Sequence, residues 1–294
     1  MKKHTISILI ISLIFVSHKL IAQQQPNFLF FEQNMGVCNP AFTGSEGALA
    51  GLGYRAAWAG IKGAPRASSF IFNTKEKNKA AWGLSYVSER VYIENQGRLA
   101  VDYSYKLPLG ATTKLHLGIK AGLSYNNIDI AGLDRITKEN NPDLNNIQNY
   151  MNPLVGIGAL LKSETYFVGV SFPTILNSKR YKDSEGVATS ALDKPQLITT
   201  AGVRLKLSNT ISLSPSMLYS LASDAPNQIT GIAKLSLKEK VILGMGISNN
   251  DYISAMLRVN MNQLALGFGY EMGQRTSSTA LRANTSELML MYRF

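Results

Sequence analysis

Alternation of apolar residues with polar or small residues is the feature that most constrains the fold of this chain. Apolar residues occupy every second position at 99–107, 115–125 and 264–270, and polar or small residues fill the positions between them. A helix would scatter such residues around its circumference because its period is 3.6 residues, whereas a strand keeps them on one face. The runs therefore predict β-strands that each have one apolar and one polar face.

The composition indicates that lipid surrounds the apolar faces. Hydrophobic residues make up 45% of the 294-residue chain and charged residues only 17%, whereas soluble domains carry about 25% charged residues. After the N-terminal segment, no stretch reaches the roughly 18 consecutive apolar residues of a spanning helix. Only helices and closed barrels satisfy every backbone hydrogen-bonding group in lipid. The sequence therefore predicts an all-β fold, a transmembrane antiparallel β-barrel.

The pattern divides into about 14 candidate strands, and an even number is the rule for bacterial single-chain barrels. They start near residues 48, 67, 80, 96, 113, 153, 165, 195, 211, 227, 240, 252, 263 and 285. Counts of 12 and 16 also fit the pattern. Short polar turns such as 75–79 alternate with longer connections, which include the long segments 126–152, 174–194 and 272–284. Because short turns belong to the periplasmic side of such barrels, both termini are expected in the periplasm of a Gram-negative bacterium.

The N-terminal residues predict export. Lys2 and Lys3 precede an apolar run at 6–16 that is too short to span a bilayer as a helix. With the small Ala22 before Gln23, this pattern is typical of a cleaved secretory signal peptide, and an uncleaved anchor is the alternative. The predicted divisions are a signal peptide (1–22), an N-terminal periplasmic or plug-like lead-in (23–47) and an outer-membrane β-barrel (48–294).

The C-terminal residues resemble the last strand of an outer-membrane barrel. Leu288, Leu290, Tyr292 and Phe294 alternate with other residues up to the end of the sequence. A last strand that ends on an aromatic residue is the pattern read by the outer-membrane assembly machinery. Tyr292 and Phe294 are therefore predicted to form the assembly signal.

Few residues offer catalytic or metal-binding chemistry. His116 is the only histidine outside the predicted signal peptide, and no nucleophile motif lies near it, so enzymatic activity is not expected. One histidine and the single Cys38 cannot build a closed transition-metal site, and the acidic residues of 126–152 lack the spacing of a calcium loop. No cofactor is predicted, and Cys38 is expected to be a buried or lumen-facing free thiol.

The net charge of +11 needs a separate interpretation. A basic chain can bind nucleic acid, but here the basic residues are spread singly along strands and turns, without a clustered arm. Nucleic acid is therefore not expected as a partner. Lumen lining and contact with acidic lipopolysaccharide or acidic partners fit the distribution better, since barrel interiors are normally polar.

Two motif boxes lie near the start of the predicted barrel. The first comprises Asn39, Pro40 and Ala41, followed by Phe42, Thr43 and Gly44; the second comprises Tyr54, Arg55, Trp58, Gly60, Gly63, Ala64 and Pro65. Together with residues 166–173 and 286–294, these boxes resemble the PorP/SprF family of outer-membrane proteins, which is associated with type IX secretion in Bacteroidota. Ala57 and Ser286 depart from the family pattern, in which a glutamine and a histidine are common at these positions.

The resemblance implies a non-enzymatic accessory role in type IX secretion, assisting secretion of a large cognate adhesin and anchoring it at the cell surface, as in gliding motility. The implied partners are a secreted adhesin with a type IX C-terminal domain, other type IX secretion components and outer-membrane lipid. A small-solute porin or transporter is the alternative function. An envelope hydrolase that uses His116 is a third.

Contacts with a secreted partner are expected in the exposed loops, because lipid and lumen packing occupy the two faces of the strands. The segment 126–152 is the longest connection and combines acidic with apolar residues; a mobile surface loop is the alternative. The candidate partner-binding residues are Asp134, Glu139, Asp143, Leu144 and Ile147.

The lead-in has its own local signals. Asn39 is expected to be extended because it precedes Pro40, and Gly44 is expected to supply a turn. Arg55 and Arg66 are candidates to anchor the lead-in or a partner through carboxylates. The alternative is that these residues merely close the barrel.

Overall fold

The computed structural model describes residues 28–58, 61–128, 150–179, 192–222, 226–249, 252–273 and 284–294. The predicted signal peptide lies outside these ranges. The strands are β1 (Leu49–Ala56), β2 (Arg66–Asn73), β3 (Ala80–Val91), β4 (Glu94–Pro108), β5 (Lys114–Ile128), β6 (Tyr150–Lys162), β7 (Tyr166–Phe172), β8 (Ser178–Lys179), β9 (Leu192–Asp193), β10 (Gln196–Val203), β11 (Leu205–Lys206), β12 (Ile211–Ala222), β13 (Gln228–Leu237), β14 (Val241–Ser248), β15 (Tyr252–Met261), β16 (Leu264–Gly273) and β17 (Thr285–Arg293).

Two short helical elements precede the strands. They are an α-helical turn, α1 (Met35–Cys38), and a 3-10 helix (Pro40–Phe42). Within the described ranges, no helix has the length and apolar character needed to cross a membrane.

Fourteen of the strands form a closed antiparallel barrel. Each pairs with its neighbours along the chain, β1 also pairs with β17, and pairing of β10 with β12 completes the wall. The two-residue strands β8 and β9 pair with each other in a separate small sheet. The predicted barrel fold and the count of 14 are confirmed. The largest displacement of a predicted start is at β6, expected near 153 and observed from Tyr150.

A single proline explains the short strand β11. The β10–β12 and β11–β12 pairings share one register, and the gap between them lies opposite Pro215. Proline has no N–H to donate to a ladder, so the pairing is interrupted there. On the opposite side of the strand, the ladder toward β7 continues, because Arg204 in the gap donates its backbone N–H to the carbonyl oxygen of Thr165 at 2.7 Å.

The connections make the two ends of the barrel different. One end, called the short-turn end, carries the turns after β2, β4, β6, β11, β13 and β15. The other, called the long-loop end, carries the three long connections, after β5, β7 and β16, together with shorter ones after β1, β3, β12 and β14. Lys238, Glu239 and Asn262 adopt positive φ in short-turn hairpins, which matches the twist of the flanking strands. Because Leu49 pairs with Arg293, the wall both begins and ends at the short-turn end.

The predicted alternation appears as two different faces of the wall. On β5, Leu117 and Ile119 are exposed on the outer face, whereas His116 and Lys120 are buried on the lumen face. Aromatic side chains cluster on the outer face near both ends. Trp82 and Tyr103 contact each other toward the short-turn end, and the hydroxyls of Tyr86 and Tyr125 lie 3.3 Å apart toward the long-loop end. This arrangement fits the interfacial aromatic girdles of membrane barrels.

The lumen of the barrel is filled largely by residues 28–47, called the plug. A barrel much wider than eight strands leaves more space than its own side chains can fill. Phe28, Leu29, Phe30, Phe31 and Met35 are each at most 5% exposed, and most of them share an apolar core with wall residues. The described part of the predicted lead-in, residues 28–47, therefore packs against the lumen face of the wall.

The plug runs through the barrel from one end to the other. Phe28 packs with Ala67 and Val87 in the long-loop half, whereas Lys162, near the short-turn end, binds the carbonyl oxygen of Ser45 at 2.9 Å. Both ends of the wall lie at the short-turn end, whereas the first described residue, Phe28, lies toward the long-loop end.

Candidate functional site: the plugged lumen

The first motif box forms the part of the plug that contacts β5, β6 and β7. Asn39 is extended at φ −141° and ψ 110°, as Pro40 requires, and its side-chain oxygen accepts a hydrogen bond from the N–H of Ala41 at 2.9 Å. Its amide nitrogen lies 3.2 Å from the carbonyl oxygen of Ala159 and 3.4 Å from that of Val170. One side chain thus caps the 3-10 helix and attaches it to the wall.

Lumen-facing glycines allow the plug to approach the wall closely. A Cβ atom added at Gly118 would lie 2.2 Å from the backbone nitrogen of Ala41, and one at Gly158 would lie 2.0 Å from the side-chain oxygen of Asn39. No side chain fits at these positions unless the plug moves. No role was predicted for Gly118 or Gly158. The sequence pattern that could have indicated one is a glycine at a polar-face position of an alternating strand.

The start of the plug is held by a buried cluster of charged side chains, called the clasp. It consists of Arg55 on β1, Glu271 on β16 and Glu287 on β17. Arg55 Nη2 lies 2.6 Å from Glu271 Oε1, and Arg55 Nη1 lies 3.5 Å from Glu287 Oε2. Glu287 is fully buried and accepts the backbone N–H groups of Leu29 at 2.7 Å and Phe30 at 3.1 Å. Buried backbone N–H groups need such acceptors, so the clasp fixes the plug to the wall.

A second buried charge pair supports the middle of the plug. Lys120 Nζ on β5 lies 2.6 Å from Asp102 Oδ1 on β4, and both side chains are almost fully buried. Ser85 donates to Asp102 at 2.8 Å, and Lys120 donates to Ser85 at 2.7 Å and to the carbonyl oxygen of Gly36 at 3.0 Å. The ammonium therefore satisfies a carbonyl of α1 while its own charge is balanced by the wall.

Near the short-turn end, ion pairs join the plug and a turn to the wall. Glu46 of the plug pairs with Lys162 of β6, and Glu32 pairs with Lys234 of β13. The turn residue Glu76 pairs with Lys106 and lies 3.5 Å from Nδ1 of His116. Charged side chains on the polar face of alternating strands thus hold the plug at several depths.

Two residues considered for chemistry lie in this packed interior. His116 faces the lumen as predicted and is buried beside Glu76. Cys38 ends α1 as a partly buried free thiol, as expected. Burial raises the pKa of the Cys38 thiol, an effect that the positive charges of Arg98 and Lys120 partly offset. A thiol with a raised pKa is a weak nucleophile at neutral pH. In the described part of the chain, no group of three or more His, Cys, Asp or Glu residues has metal-binding geometry.

The second motif box divides between the wall and a loop at the long-loop end. Tyr54 faces outward from β1, and Arg55 belongs to the clasp. The loop residues that the structure describes are Trp58, Gly63, Ala64 and Pro65; Gly60 lies outside the described residues. Gly63 has a φ of +79°, and its carbonyl oxygen accepts the N–H of Tyr92 at 2.8 Å. The structure therefore places the loop of this box on the β3–β4 turn.

Of the two arginines proposed as anchors, Arg55 pairs with Glu271 and Glu287, and Glu287 in turn accepts backbone N–H groups of the plug. These ion pairs also join the first strand to the last two strands, so anchoring of the lead-in and closure of the barrel both stay open as the role of Arg55. Arg66 is exposed at the start of β2, cross-strand from Arg90, and does not lie in the clasp. Glu271, Asp102 and Lys120 were not predicted as site residues. Their only sequence pattern is a charged residue at a lumen-facing position. Many lumen residues share this pattern, and it does not indicate which residue is the partner.

The terminal aromatics lie on the outer face at the short-turn end. The rings of Tyr292 and Phe294 are 5.0 Å apart, and Phe294 also contacts Phe72 of β2. The N–H of Phe294 donates to the carbonyl oxygen of Ala48 at 3.1 Å. The end of the chain thus closes the seam between the first and last strands. The proposed capture residues Asp134, Glu139, Asp143, Leu144 and Ile147 lie outside the described residues.

These features define a class of protein: a membrane β-barrel of the outer-membrane type whose lumen holds residues 28–47 of its own chain. A family model described as type IX secretion system membrane protein PorP/SprF matches residues 20–292. The chain belongs to the PorP/SprF family. No curated protein sequence matches the chain.

Two solved outer-membrane proteins, CymD and TodX, share the fold at low sequence identity. The CymD monoaromatic hydrocarbon channel is 11% identical with a TM-score of 0.51, and the alignment covers 88% of this chain and 92% of that chain. The Pseudomonas putida toluene transporter TodX is 6% identical with a TM-score of 0.50 and the same coverage. The Acinetobacter baumannii protein Omp33 is 11% identical, with a TM-score of 0.48 and coverage of 84% and 98%.

Proposed function

We propose that this barrel is an accessory component of type IX secretion that assists export of a large cognate adhesin and anchors it at the cell surface. Membership of the PorP/SprF family supports the secretion role. The plug is the observation that favours this role over that of an open porin, because residues 28–47 occupy the lumen and are fixed by the clasp. Other type IX components and an adhesin with a type IX C-terminal domain are the proposed partners.

The proposed orientation places the short-turn end in the periplasm. Bacterial barrels have short periplasmic turns and longer extracellular loops, and the three long connections of this barrel, after β5, β7 and β16, all lie at the long-loop end. The C terminus is then periplasmic. The long-loop end faces outward, where a secreted adhesin has to be held.

Capture is proposed to use the connection between β5 and β6, with Asp134, Glu139, Asp143, Leu144 and Ile147 as candidate contacts. Replacing residues 134–147 by a short Gly and Ser linker is expected to leave the barrel inserted, because surface loops tolerate such changes. The cells are then expected to release a large type IX adhesin into the medium or to fail to secrete it. Unchanged surface display of every such adhesin, with the shortened barrel at normal levels, would rule out this loop.

Solute transport is the second candidate, because a cavity of about 530 Å³ remains beside the plug at the short-turn end. Conductance in planar bilayers separates the two functions. The wild-type protein is expected to show little open conductance, and a variant lacking residues 28–47 is expected to conduct. Steady ion conductance of the wild type, comparable with that of the plug deletion, would instead favour a porin.

A further inference from the structure

The cavity left beside the plug has a strongly charged lining at the short-turn end. It extends between the plug residue Met35 and the lumen faces of β12, β13 and β15. Serines 212, 216 and 236 on those strands have buried hydroxyls without a hydrogen-bond partner in the structure. Buried hydroxyls are normally satisfied by protein or water, so this part of the lumen suits a polar occupant.

Most charges around the cavity are already balanced. Five cations and four carboxylates line it, and three pairs can be assigned among them. The pairs are Lys162 with Glu46, Lys234 with Glu32, and Arg204 with Glu239. The remaining carboxylate, Glu164, lies in the turn between β6 and β7, on the far side of the wall from β15.

The two remaining cations are Arg258 on β15 and Arg293 on β17. Among the described residues, neither guanidinium has a carboxylate within 4.0 Å. The Nε of Arg258 is buried without a hydrogen-bond acceptor. β16 separates the two strands, and its lumen-facing residue at this level is the small Ala265, which is cross-strand from Asn260 and Met291. The two like charges therefore act on each other across the cavity without an intervening long side chain.

Two guanidinium groups without a direct ion pair thus share a partly enclosed cavity; the carboxylates of Glu32, Glu239 and Glu46 act on Arg258 only from beyond 4.0 Å, so an anion or water is needed to solvate the pair. A buried cation without a partner carries a large desolvation cost, and arginine is the side chain best suited to bind planar or tetrahedral oxyanions. Arg293 is the last residue of β17 at the rim, and Arg258 lies deeper along its strand. An oxyanion that enters from the short-turn end meets Arg293 first and Arg258 next.

We propose that Arg258 and Arg293 form an oxyanion-binding site that takes the carboxylate or phosphate group of a ligand entering the lumen from the short-turn end. The site is separate from the clasp and from the proposed capture loop. It does not depend on the proposed role in secretion, since the unpaired arginines and the cavity are properties of the barrel itself.

The experiment uses the full-length barrel in lipid nanodiscs and two probes, inorganic phosphate and a short peptide with a free C-terminal carboxylate. The amidated peptide is the matched control probe, and ionic strength is held constant with sodium chloride because exposed charges are screened by salt. The thermal unfolding midpoint is measured against probe concentration. Wild-type protein is expected to be stabilised in a saturable way by at least one probe, since a ligand that binds the folded state shifts unfolding.

The variants Arg258→Gln and Arg293→Gln are each expected to weaken that binding by about tenfold or more, consistent with loss of a charge-assisted hydrogen bond. Lys114→Gln removes one positive charge from an exposed position on β5 outside the cavity and is expected to bind as the wild type does. If phosphate and the free peptide both bind, the site takes oxyanions in general. If only one probe binds, that probe shows whether the oxyanion of the ligand is a phosphate or a carboxylate.

Absence of saturable stabilisation by both probes in the wild type would overturn the proposal. Equal affinity in the wild type and both Arg→Gln variants, or an equal loss in Lys114→Gln, would also overturn it. Where a glutamine variant does not insert, Arg258→Lys and Arg293→Lys decide the question. They keep the charge but lose the guanidinium fork, so weakened binding supports the site and unchanged binding contradicts it.

Discussion

Arg55 and Glu287 are cross-strand partners on the first and last strands of the wall, and the carboxylate of Glu287 accepts the N–H of Leu29, 258 positions earlier in the chain. One buried ion pair therefore lies where the barrel closes and where the plug begins. This relationship couples closure of the wall to the position of the plug.

Glu287→Ala is expected to lower the free energy of unfolding by about 3–5 kcal/mol, because it leaves the backbone N–H groups of Leu29 and Phe30 without their acceptor and weakens the balance of Arg55. The measurement is the temperature at which the folded barrel is lost in detergent, read from its mobility on a gel. Glu164→Ala, at an exposed carboxylate, is the control and is expected to change stability by less than about 0.5 kcal/mol. Equal effects of the two variants would show that the clasp does not hold the plug.

Gly158→Ala is expected to displace the first motif box, because the new Cβ would occupy the position of the Asn39 side-chain oxygen. Overpacking of this kind costs about 1–3 kcal/mol, and a shifted plug is expected to raise bilayer conductance. Gly231→Ala is the matched control, since nothing lies within 4 Å of an added Cβ there. If both variants match the wild type in bilayer conductance and in stability, the close approach of the plug to Gly158 is not required to hold the plug in place.

Deletion of residues 292–294 is expected to prevent membrane insertion. Ala50 and Leu264 would lose Tyr292 as their cross-strand partner, and the wall would present an open edge. Protein in the outer-membrane fraction is the measurement. Tyr54→Ala removes an exposed aromatic ring far from the chain end and is expected to insert. Normal outer-membrane levels of the truncated protein would refute an assembly role for this seam.

Labelling of introduced cysteines tests the orientation. In a Cys38→Ser background, Ile61→Cys at the long-loop end is expected to react with a membrane-impermeant maleimide on intact cells. Lys77→Cys, in the turn after β2, is expected to react only after the outer membrane is permeabilised. Both positions are exposed, so accessibility depends on the side of the membrane alone. The reverse labelling pattern would show that the barrel has the opposite orientation in the membrane.

A tag placed directly before Phe28 extends this test to the N-terminal side. Phe28 lies in the half of the barrel nearer Ile61, so the tag is expected to share the accessibility of Ile61→Cys. Protection of the tag together with Lys77→Cys would instead support the expectation that both termini are periplasmic. The comparison requires that the tagged barrel is present at normal levels.

The strands and their two faces could be predicted from the sequence because alternation is a local property. In the run from Leu115 to Tyr125, the position of a residue in the alternation determines which face of the strand it lies on. This holds whichever strand lies beside it. The terminal aromatic residues and the extended conformation of Asn39 could also be predicted from the sequence, since each depends only on adjacent residues. The interruption at Pro215 had a local cause as well, although only the pairing shows which strand it divides.

The interior was decided by the tertiary structure. That residues 28–47 lie in the lumen, that Arg55 rather than Arg66 belongs to the clasp, and that Glu271 and Glu287 converge on one guanidinium all depend on closure of the wall. Closure brings β1 beside β17 and sets the direction in which the lumen face of each strand points. A charged residue in an alternating strand signals only that it faces a polar interior; its partner is chosen by the register of strands that are distant in sequence.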